Sequence, residues 1–413
     1  MPALLAALLS ALAVTLALAV PASAGTPSFV LYECGDPERV HYETDLCRID
    51  PDGRGARRLT NDAVSQDEYR FPTLTRDGTR IAFARGGSTQ RLFTAPLDLS
   101  SPTELAGVQV WESAISPDGR RVAYVEAAEP IEGEPEHSST PVLFTVDSDG
   151  TNRRKWGRML MFPTWVGDRL AAVVGGLHGG RRACLLLEGS GICERTIAEV
   201  EKGELRQPAV SPDGRLVAAY VSPDPDLWIR PGIWTFAAKT GRRTGGIVGG
   251  LVSGDPVWSP DGRAIAFTDA GSIEVRQRPG PKESLGTPGY TLWNHLQKAA
   301  AGHPAWVGAR DTARARLRIT RMSVRGRRAV VAGTAARKLR GRLRAEFSRG
   351  GGSVASRTFY PKVRDGRFAF AYRVPREHPG DGHWWCGINL SYPGGETHGW
   401  DVVHGRPRGG VCR

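Results

Sequence analysis

Short stretches in which apolar and polar residues alternate recur along most of the chain, as is typical of half-buried β-strands. Many lead into a turn and then into a second strand rich in β-branched and aromatic residues, as in ESAISPDGRRVAYVE. The turn SPDGR begins at Ser116, Ser211 and Ser259. Pro presets φ for a turn, Asp can bond its own backbone and Gly accepts a positive φ, so each copy predicts a β-hairpin.

The hairpin belongs to a longer repeat whose turn varies. FPTLTRDGTRIAFAR begins at Phe71, FPTWVGDRLAAVV begins at Phe162, and the truncated copy HPAWVG begins at His303. A second hairpin follows the first in each unit, as in LFTVDSDGTNRRKW. Six such lead-in strands at intervals of about 40 to 50 residues, with four strands per unit, are typical of radial β-repetition.

The two ends of the repeat region complement each other. SFVLYE, which begins at Ser28, matches the second strand of the template, and LCRIDPDGRGARRLT matches its second hairpin. This first unit has no lead-in strand, whereas HPAWVG is a lead-in strand without a unit. We therefore predict that HPAWVG completes the first unit and closes a ring.

The motifs PxWSPDGxxIAF and LxxIDPDGxxxRRLT resemble those of the TolB-type six-bladed β-propellers, which also occur as the N-terminal domain of prolyl-oligopeptidase-like enzymes. The resemblance covers about residues 28–308. It implies six blades, ring closure of the kind just described, and use as a protein-binding module of the bacterial cell envelope. The chain departs from TolB in domain order, because its additional domain follows the propeller.

In a four-stranded blade the first strand lines the central channel, and the irregular loops lie on the face opposite the SPDG turns. Charged, polar and aromatic side chains are mixed where these strands enter the channel, as in many binding sites. The alternative is that they only fill the channel or contact water. We predict a ligand-binding channel mouth formed by Arg70, Phe71, Trp111, Glu112, Phe162, Arg206, Gln207, Asp255 and His303.

The C-terminal quarter of the chain is strongly basic. Residues 310–413 contain 23 arginines and lysines against 7 aspartates and glutamates, and the whole chain has a formal charge of +12. Alternating stretches between Gly and Pro breaks predict a small immunoglobulin-like β-sandwich over residues 309–413. The positive charge of this domain would suit binding to an anionic surface polymer. The alternative is that the many arginines only reflect a compositional bias of the whole chain. No nucleic-acid-reading motif is present, so nucleic acid is not an expected partner.

The N-terminal segment and the cysteines indicate export. Residues 1–24 form an apolar run that ends in Ala-Ser-Ala, the pattern of a secretory signal peptide. An uncleaved membrane anchor is the alternative, because no cation precedes the run.

In an oxidising compartment the six cysteines are expected to form disulfides. Zinc is the alternative, but no pair has the two-residue gap of a metal knuckle. The predicted pairs are Cys34 with Cys47, Cys184 with Cys193, and Cys386 with Cys412.

These features together predict an all-β, exported, monomeric protein with a six-bladed propeller over residues 25–308. We expect it to bind a protein or a cell-envelope ligand without catalysis, metal or cofactor. No Gly-x-Ser-x-Gly nucleophile elbow occurs in the sequence, and the segment after Gly308 is too short for a hydrolase domain. The alternative is a hydrolase or lyase that uses Glu112, Asp255 and His303 in the propeller channel.

Overall fold

The computed structural model describes most of the chain between residues 28 and 405. Residues 1–24, with the predicted signal peptide, and the predicted Cys386–Cys412 disulfide lie outside the described residues. No helix within the described part is long and apolar enough to cross a membrane. The described ranges are 28–35, 43–65, 67–106, 109–128, 140–176, 179–222, 231–248, 252–280, 289–293, 301–308, 312–325, 328–348, 357–373, 387–394, 398–399 and 401–405.

The N-terminal part of the fold is built from short antiparallel strands that follow the predicted repeat. Its strands are β1 (Phe29–Gly35), β2 (Thr44–Ile49), β3 (Arg57–Arg58), β4 (Glu68–Leu74), β5 (Arg80–Gly86), β6 (Arg91–Pro96), β7 (Thr103–Ala106), β8 (Val110–Ile115), β9 (Arg121–Ala128), β10 (Thr140–Asp147), β11 (Arg154–Arg158), β12 (Leu160–Val166), β13 (Arg169–Gly176), β14 (Gly179–Leu186), β15 (Cys193–Glu199), β16 (Glu204–Val210), β17 (Leu216–Ser222), β18 (Gly232–Ala237), β19 (Arg243–Val248), β20 (Val252–Trp258), β21 (Ala264–Asp269), β22 (Ser272–Gln277), β23 (Gly289–Trp293) and β24 (Ala301–Val307).

These strands pair as four-stranded units. One unit consists of β24, β1, β2 and β3, and the others follow in chain order as β4–β7, β8–β11, β12–β15, β16–β19 and β20–β23. A single bridge between Gly180 and Leu205 connects two neighbouring units. Each of the five units that follow in chain order thus contains the two successive hairpins that the repeat predicted.

Pairing of β24 with β1 closes the repeat region. Phe29 lies opposite Val307, and Leu31 lies opposite Ala305. Phe29, Leu31 and Val307 are buried together in one apolar cluster. The predicted role of HPAWVG as the missing strand of the first unit is therefore confirmed. Burial of these side chains helps to offset the entropy of joining two distant ends of the chain.

The repeated SPDG turn is held by its own side chains. The Ser116 hydroxyl donates to the Asp118 carboxylate at 2.6 Å, and this carboxylate accepts the Arg120 backbone N–H at 3.1 Å. Gly119 has a φ of 74°, which Gly adopts without steric cost. Ser211 and Ser259 make the same bond to the Asp of their turns, at 2.7 and 2.6 Å. The structure thus confirms an architectural role for the repeated Asp.

The tryptophans of the lead-in motif link neighbouring units. The indole of Trp165 donates to the carbonyl of Ala114 at 2.9 Å, and the indole of Trp258 donates to the carbonyl of Ala209 at 2.9 Å. Both rings are buried, so each fills space between two units and satisfies a buried carbonyl at the same time. These contacts hold the innermost strands, and with them the channel, in fixed relative positions.

The C-terminal part consists of further small sheets around a separate apolar core that includes Val331, Leu343 and Ile388. Its main sheets have the orders β26-β27-β32 and β30-β29-β33-β35. An immunoglobulin-like topology and a domain boundary at residue 309 stay predictions. The strands are β25 (Ala313–Arg314), β26 (Arg318–Arg325), β27 (Arg328–Thr334), β28 (Gly341–Arg342), β29 (Arg344–Ser348), β30 (Arg357–Phe359), β31 (Lys362–Val363), β32 (Arg367–Arg373), β33 (Gly387–Tyr392), β34 (His398–Gly399) and β35 (Asp401–Gly405).

Two of the predicted disulfides are present in the structure. Cys34 in β1 is bonded to Cys47 in β2, so this bridge ties together two neighbouring strands of the unit that closes the ring. Cys184 in β14 is bonded to Cys193 in β15, across the outer hairpin of its unit. The nearest-neighbour pairing is thus confirmed for these four cysteines.

Candidate functional site

The innermost strand of five units bends at the same position of the repeat. The residue there has a positive φ, is not Gly, and is followed by Pro. Register shifts accompany the bend, as between Arg70 and Thr73 in β4. A non-Gly residue in this backbone region costs about 1–3 kcal/mol, so the surrounding fold must impose it. The five residues, with φ between 44° and 54°, are Phe71, Phe162, Gln207, Asp255 and His303.

The bend brings six side chains together in the channel. In the remaining unit Glu112, which precedes Ser113, occupies the equivalent position in β8. A cavity of about 120 Å³ is lined by all six, which we call the channel ring: Phe71, Glu112, Phe162, Gln207, Asp255 and His303. The prolines that follow five of these residues also line a cavity of about 510 Å³ on the side of the SPDG turns.

The structure therefore brings together six of the nine predicted site residues, and it places the other three beside them. Trp111 lines a neighbouring cavity together with Phe71, Glu112 and Phe162. Arg70 and Arg206 line none of these cavities; each guanidinium pairs with a glutamate two residues earlier in its own strand, Glu68 or Glu204. The two arginines thus flank the channel ring.

His303 is placed between two carboxylates. Its Nδ1 lies 2.9 Å from Oε1 of Glu33, and its Nε2 lies 3.4 Å from Oδ1 of Asp255. Burial by itself would lower the pKa of His303, but the charges of Asp255 and Glu33 outweigh it and raise that pKa to about 10. The imidazole is consequently a cation at neutral pH. Phe71 packs edge-on against this ring, with centroids 4.9 Å apart.

Glu33 is the residue of this site that the sequence did not reveal. It lies in β1, all seven residues of which are buried, and its Oε1 accepts the Phe71 backbone N–H at 2.6 Å. Burial would raise its pKa, but His303, Arg70 and this backbone bond together lower it. The one available signal was an acidic residue in an otherwise apolar strand, FVLYE.

Asp255 is held by neighbours from three strands. The Gln207 side chain donates to its carboxylate and accepts its backbone N–H, the latter at 3.0 Å. Thr268 donates to the second carboxylate oxygen at 3.3 Å. Burial raises the pKa of Asp255, His303 opposes that shift, and Glu33 adds to it. The side chains of Gln207 and Thr268 thus hold the Asp255 carboxylate in place.

Glu112 differs from the other acids of the site. Within the described residues its carboxylate has no hydrogen-bond or ion-pair partner, and Phe71 and Phe162 line the channel in the units on either side of it. Burial is the main cause that raises its pKa to about 8; the charge of His303 opposes the shift, and those of Asp255 and Glu33 add to it. A cation placed beside Glu112 would stabilise its charged form.

The channel ring is chemically suited to holding a polar or cationic group among aromatic ones. It offers fixed acceptors, one imidazolium and two phenyl rings. No three metal-ligating side chains are arranged to hold a metal ion within the part of the chain that the structure describes. The hydroxyl of Ser113, next to the channel ring, donates to the carbonyl of Phe71 at 3.1 Å. This hydroxyl therefore has a structural hydrogen bond.

No protein-family model matches the sequence, and no curated protein matches it significantly. Solved structures do match. TolB from Acinetobacter baumannii aligns with 13% identity and a TM-score of 0.53, over 68% of this chain and 67% of that chain. The β-propeller domain of the Trilobed protease from Pyrococcus furiosus aligns with 15% identity and a TM-score of 0.37, over 76% of this chain and 91% of that chain. An acylaminoacyl peptidase from Pyrococcus horikoshii aligns with 14% identity and a TM-score of 0.41, over 81% of this chain and 55% of that chain.

The likeness to TolB concerns the fold alone, because so low an identity carries no information on activity. Together with the four-stranded units and their closure, it identifies the N-terminal part of this chain as a β-propeller.

Proposed function

We propose that the protein is an exported, non-catalytic binding protein. A six-bladed propeller of the TolB type would hold a protein or another cell-envelope ligand at the channel ring. The C-terminal part, a basic immunoglobulin-like sandwich, would position the propeller on an anionic surface. Two disulfides support function in an oxidising compartment.

One observation carries this proposal: the repeat loses its sequence similarity where the side chains meet in the channel. Pro follows the bend in five units, and the turn hydrogen bonds recur. The equivalent position, which has a positive φ in five of the six units, holds two phenylalanines, two acids, one glutamine and one histidine. Side chains that only filled the channel would not need to differ in this way from unit to unit. Different polar and aromatic groups on a rigid, costly backbone suit the recognition of an asymmetric ligand.

Catalysis in the channel is the competing hypothesis, and one observation favours it. Glu112 has a pKa raised to about 8, which would suit a general acid or base near neutral pH. Two features count against it. His303 is held as a cation by two carboxylates and is a poor base, and the Ser113 hydroxyl is engaged with a backbone carbonyl instead of a base. Binding without reaction is therefore the better-supported function.

Quantitative capture from the envelope fraction of the producing cell tests the proposal. Asp255→Asn removes a charge of the channel ring and keeps a residue that tolerates positive φ. Its matched control is Asp168→Asn, at an exposed turn between β12 and β13. We expect one partner to be retained by wild type and control and to be lost with Asp255→Asn. Equal capture by all three proteins would contradict binding at the channel ring. Chemical alteration of the partner by wild type but not by Glu112→Gln would favour the enzyme.

A further inference from the structure

A second cavity opens beside the channel ring. It has a volume of about 490 Å³ and is lined by Phe71, Trp111 and Phe162, together with Met161 and Glu112. Ser88, Gln90 and Gln109 also line it and supply neutral polar groups. The volume lies within the usual range of small-molecule sites, about 300–1,000 Å³. We call it the aromatic pocket.

The charge of the aromatic pocket is of one sign. Glu112 is its one acidic residue, and the described residues that line it include no lysine, arginine or histidine. The cations nearest in sequence are directed elsewhere: Arg70 pairs with Glu68, and Arg91 pairs with Glu104. The carboxylate of Glu112 also lacks a partner among the described residues. His303, the cation of the channel ring, packs against Phe71 and does not line the pocket. Glu112 carries its negative charge above a pH of about 8, and in that form it would attract a ligand with a positive charge.

Three aromatic rings around one carboxylate select among cations. The faces of Phe and Trp attract positive charge, and they do so best when the cation sheds its water easily. A bare ammonium or a metal ion is strongly hydrated and would lose more hydration than these rings replace. A methylated ammonium group carries a diffuse charge and apolar methyls, and both match a lining of Phe71, Trp111, Phe162 and Met161.

We propose that the aromatic pocket binds a small organic cation with a quaternary ammonium group, with Trp111, Phe71 and Phe162 around the methyls and Glu112 as the counter-ion. The two glutamines that line the pocket would contact the polar end of such a molecule. This inference rests on the proposed binding function and names the chemistry of a ligand at one side of the same channel mouth.

Calorimetric titration of the full chain with choline at pH 9, where Glu112 is charged, tests this assignment. The matched probe is 3,3-dimethylbutan-1-ol, which has the shape of choline without its charge. We expect choline to bind and the neutral analogue to bind at least about tenfold more weakly. Glu112→Gln should weaken choline binding about tenfold, and Trp111→Leu should do the same with the charge of the protein unchanged. Glu199→Gln, at an exposed position of β15, is the control and should bind like wild type.

Several results would overturn the assignment. Equal binding of choline and the neutral analogue would make the pocket merely apolar, and undiminished choline binding by Trp111→Leu would place the ligand elsewhere. Absence of choline binding by a folded wild-type protein would reject the site.

Failure of this inference can be told apart from failure of the proposed function. If Asp255→Asn abolishes envelope capture but wild type does not bind choline, only the quaternary ammonium site is rejected. In the opposite case, choline binding depends on Trp111 and Glu112, but capture is unaffected by Asp255→Asn. That result rejects the proposed function of the channel ring and retains the aromatic pocket as a binding site.

Discussion

His303 and Glu33 join the two ends of the propeller by an ion pair. Nδ1 of His303 lies 2.9 Å from Oε1 of Glu33, and the two residues belong to β24 and β1, whose pairing closes the ring. The Glu33 side chain is only 5% exposed, so its charge depends on the partners around it. A buried charge that loses its partner is strongly destabilising, whereas replacement of both partners costs much less. The candidate site and the closure of the fold therefore share this pair.

The first prediction concerns this pair. We expect His303→Gln to lower the free energy of unfolding by about 3 kcal/mol, because it leaves Glu33 buried with only Arg70 as a more distant counter-charge. The double variant Glu33→Gln/His303→Gln should recover part of that loss. Urea unfolding of wild type, both single variants and the double variant gives the coupling energy. Additive effects of the two substitutions would show that the pair does not act as a unit.

The second prediction is a loss of stability at alkaline pH. The pKa of His303 is raised from 6.5 to about 10, so the folded state keeps a proton that the unfolded state loses near pH 6.5. The stabilisation by His303 is hence complete below pH 6.5, and it is lost as the pH rises through about 10. We expect the stability difference between wild type and His303→Gln to shrink from pH 6 to pH 10, as followed by urea unfolding. A difference that is constant with pH would contradict the raised pKa.

The third prediction concerns Glu112, whose pKa is raised from 4.5 to about 8. Between these values the folded state binds a proton that the unfolded state does not, so this residue stabilises the fold below pH 4.5 and loses that contribution as the pH rises through 8. Glu112→Gln does not titrate. Relative to wild type, this variant should gain about 4 kcal/mol in the free energy of unfolding between pH 5 and pH 8.5. Glu199→Gln should show no such gain, and an equal response of the two variants would reject the shift.

The sequence predicted the parts of this structure that repeat. The SPDG turns, the two hairpins of each unit and the closing role of HPAWVG all follow from local patterns, because turn chemistry and strand alternation are short-range properties. Alignment of the units also singled out the position of Phe71, Glu112 and His303, since equivalent positions of a radial repeat must meet at its axis. Their approach to one cavity was thus predictable without coordinates.

Contacts between units were not predictable in the same way. Glu33 lies in the second strand of its unit, and only the ring closure brings it next to His303 and Phe71. The positive φ at Phe71 and Phe162 was missed as well, because bulky residues rarely adopt that conformation and local propensity argues against it. Arg70 was predicted as a residue of the channel mouth, but it lines none of the cavities; its guanidinium pairs with Glu68 and lies 3.9 Å from Oε2 of Glu33.

The fourth prediction compares the two disulfides. Cys34–Cys47 and Cys184–Cys193 span 13 and 9 residues, so loop entropy alone assigns about 3 kcal/mol to each. The first bridge lies in the unit that closes the ring, and the second lies in an outer hairpin. We therefore expect the Cys34→Ala/Cys47→Ala variant to lose more stability than the Cys184→Ala/Cys193→Ala variant. Urea unfolding of both variants measures the difference; a larger loss for the outer bridge would contradict a special role of the closing unit.

The last prediction concerns the basic C-terminal part. Arg337, Lys338 and Arg340 line an open cavity of about 560 Å³ that contains one acid, Asp365. If this part attaches the protein to an anionic polymer, the full chain should be retained on immobilised dextran sulfate and released by salt, because such binding acts through screened charges. Replacement of all three cations by glutamine should lower the salt concentration needed for release.

A matched control separates this cluster from the net charge of the chain. Arg57, Arg215 and Arg242 are exposed arginines of the propeller. Their replacement by glutamine removes the same charge from the other part of the molecule. We expect this control to be retained nearly like wild type. Equal loss of retention in both triple variants would mean that dextran sulfate responds to total charge, and the positioning role of the C-terminal part would then fail. Loss confined to the Arg337, Lys338 and Arg340 variant would place the attachment in the C-terminal sheets, with the channel ring of the propeller left free for its own ligand.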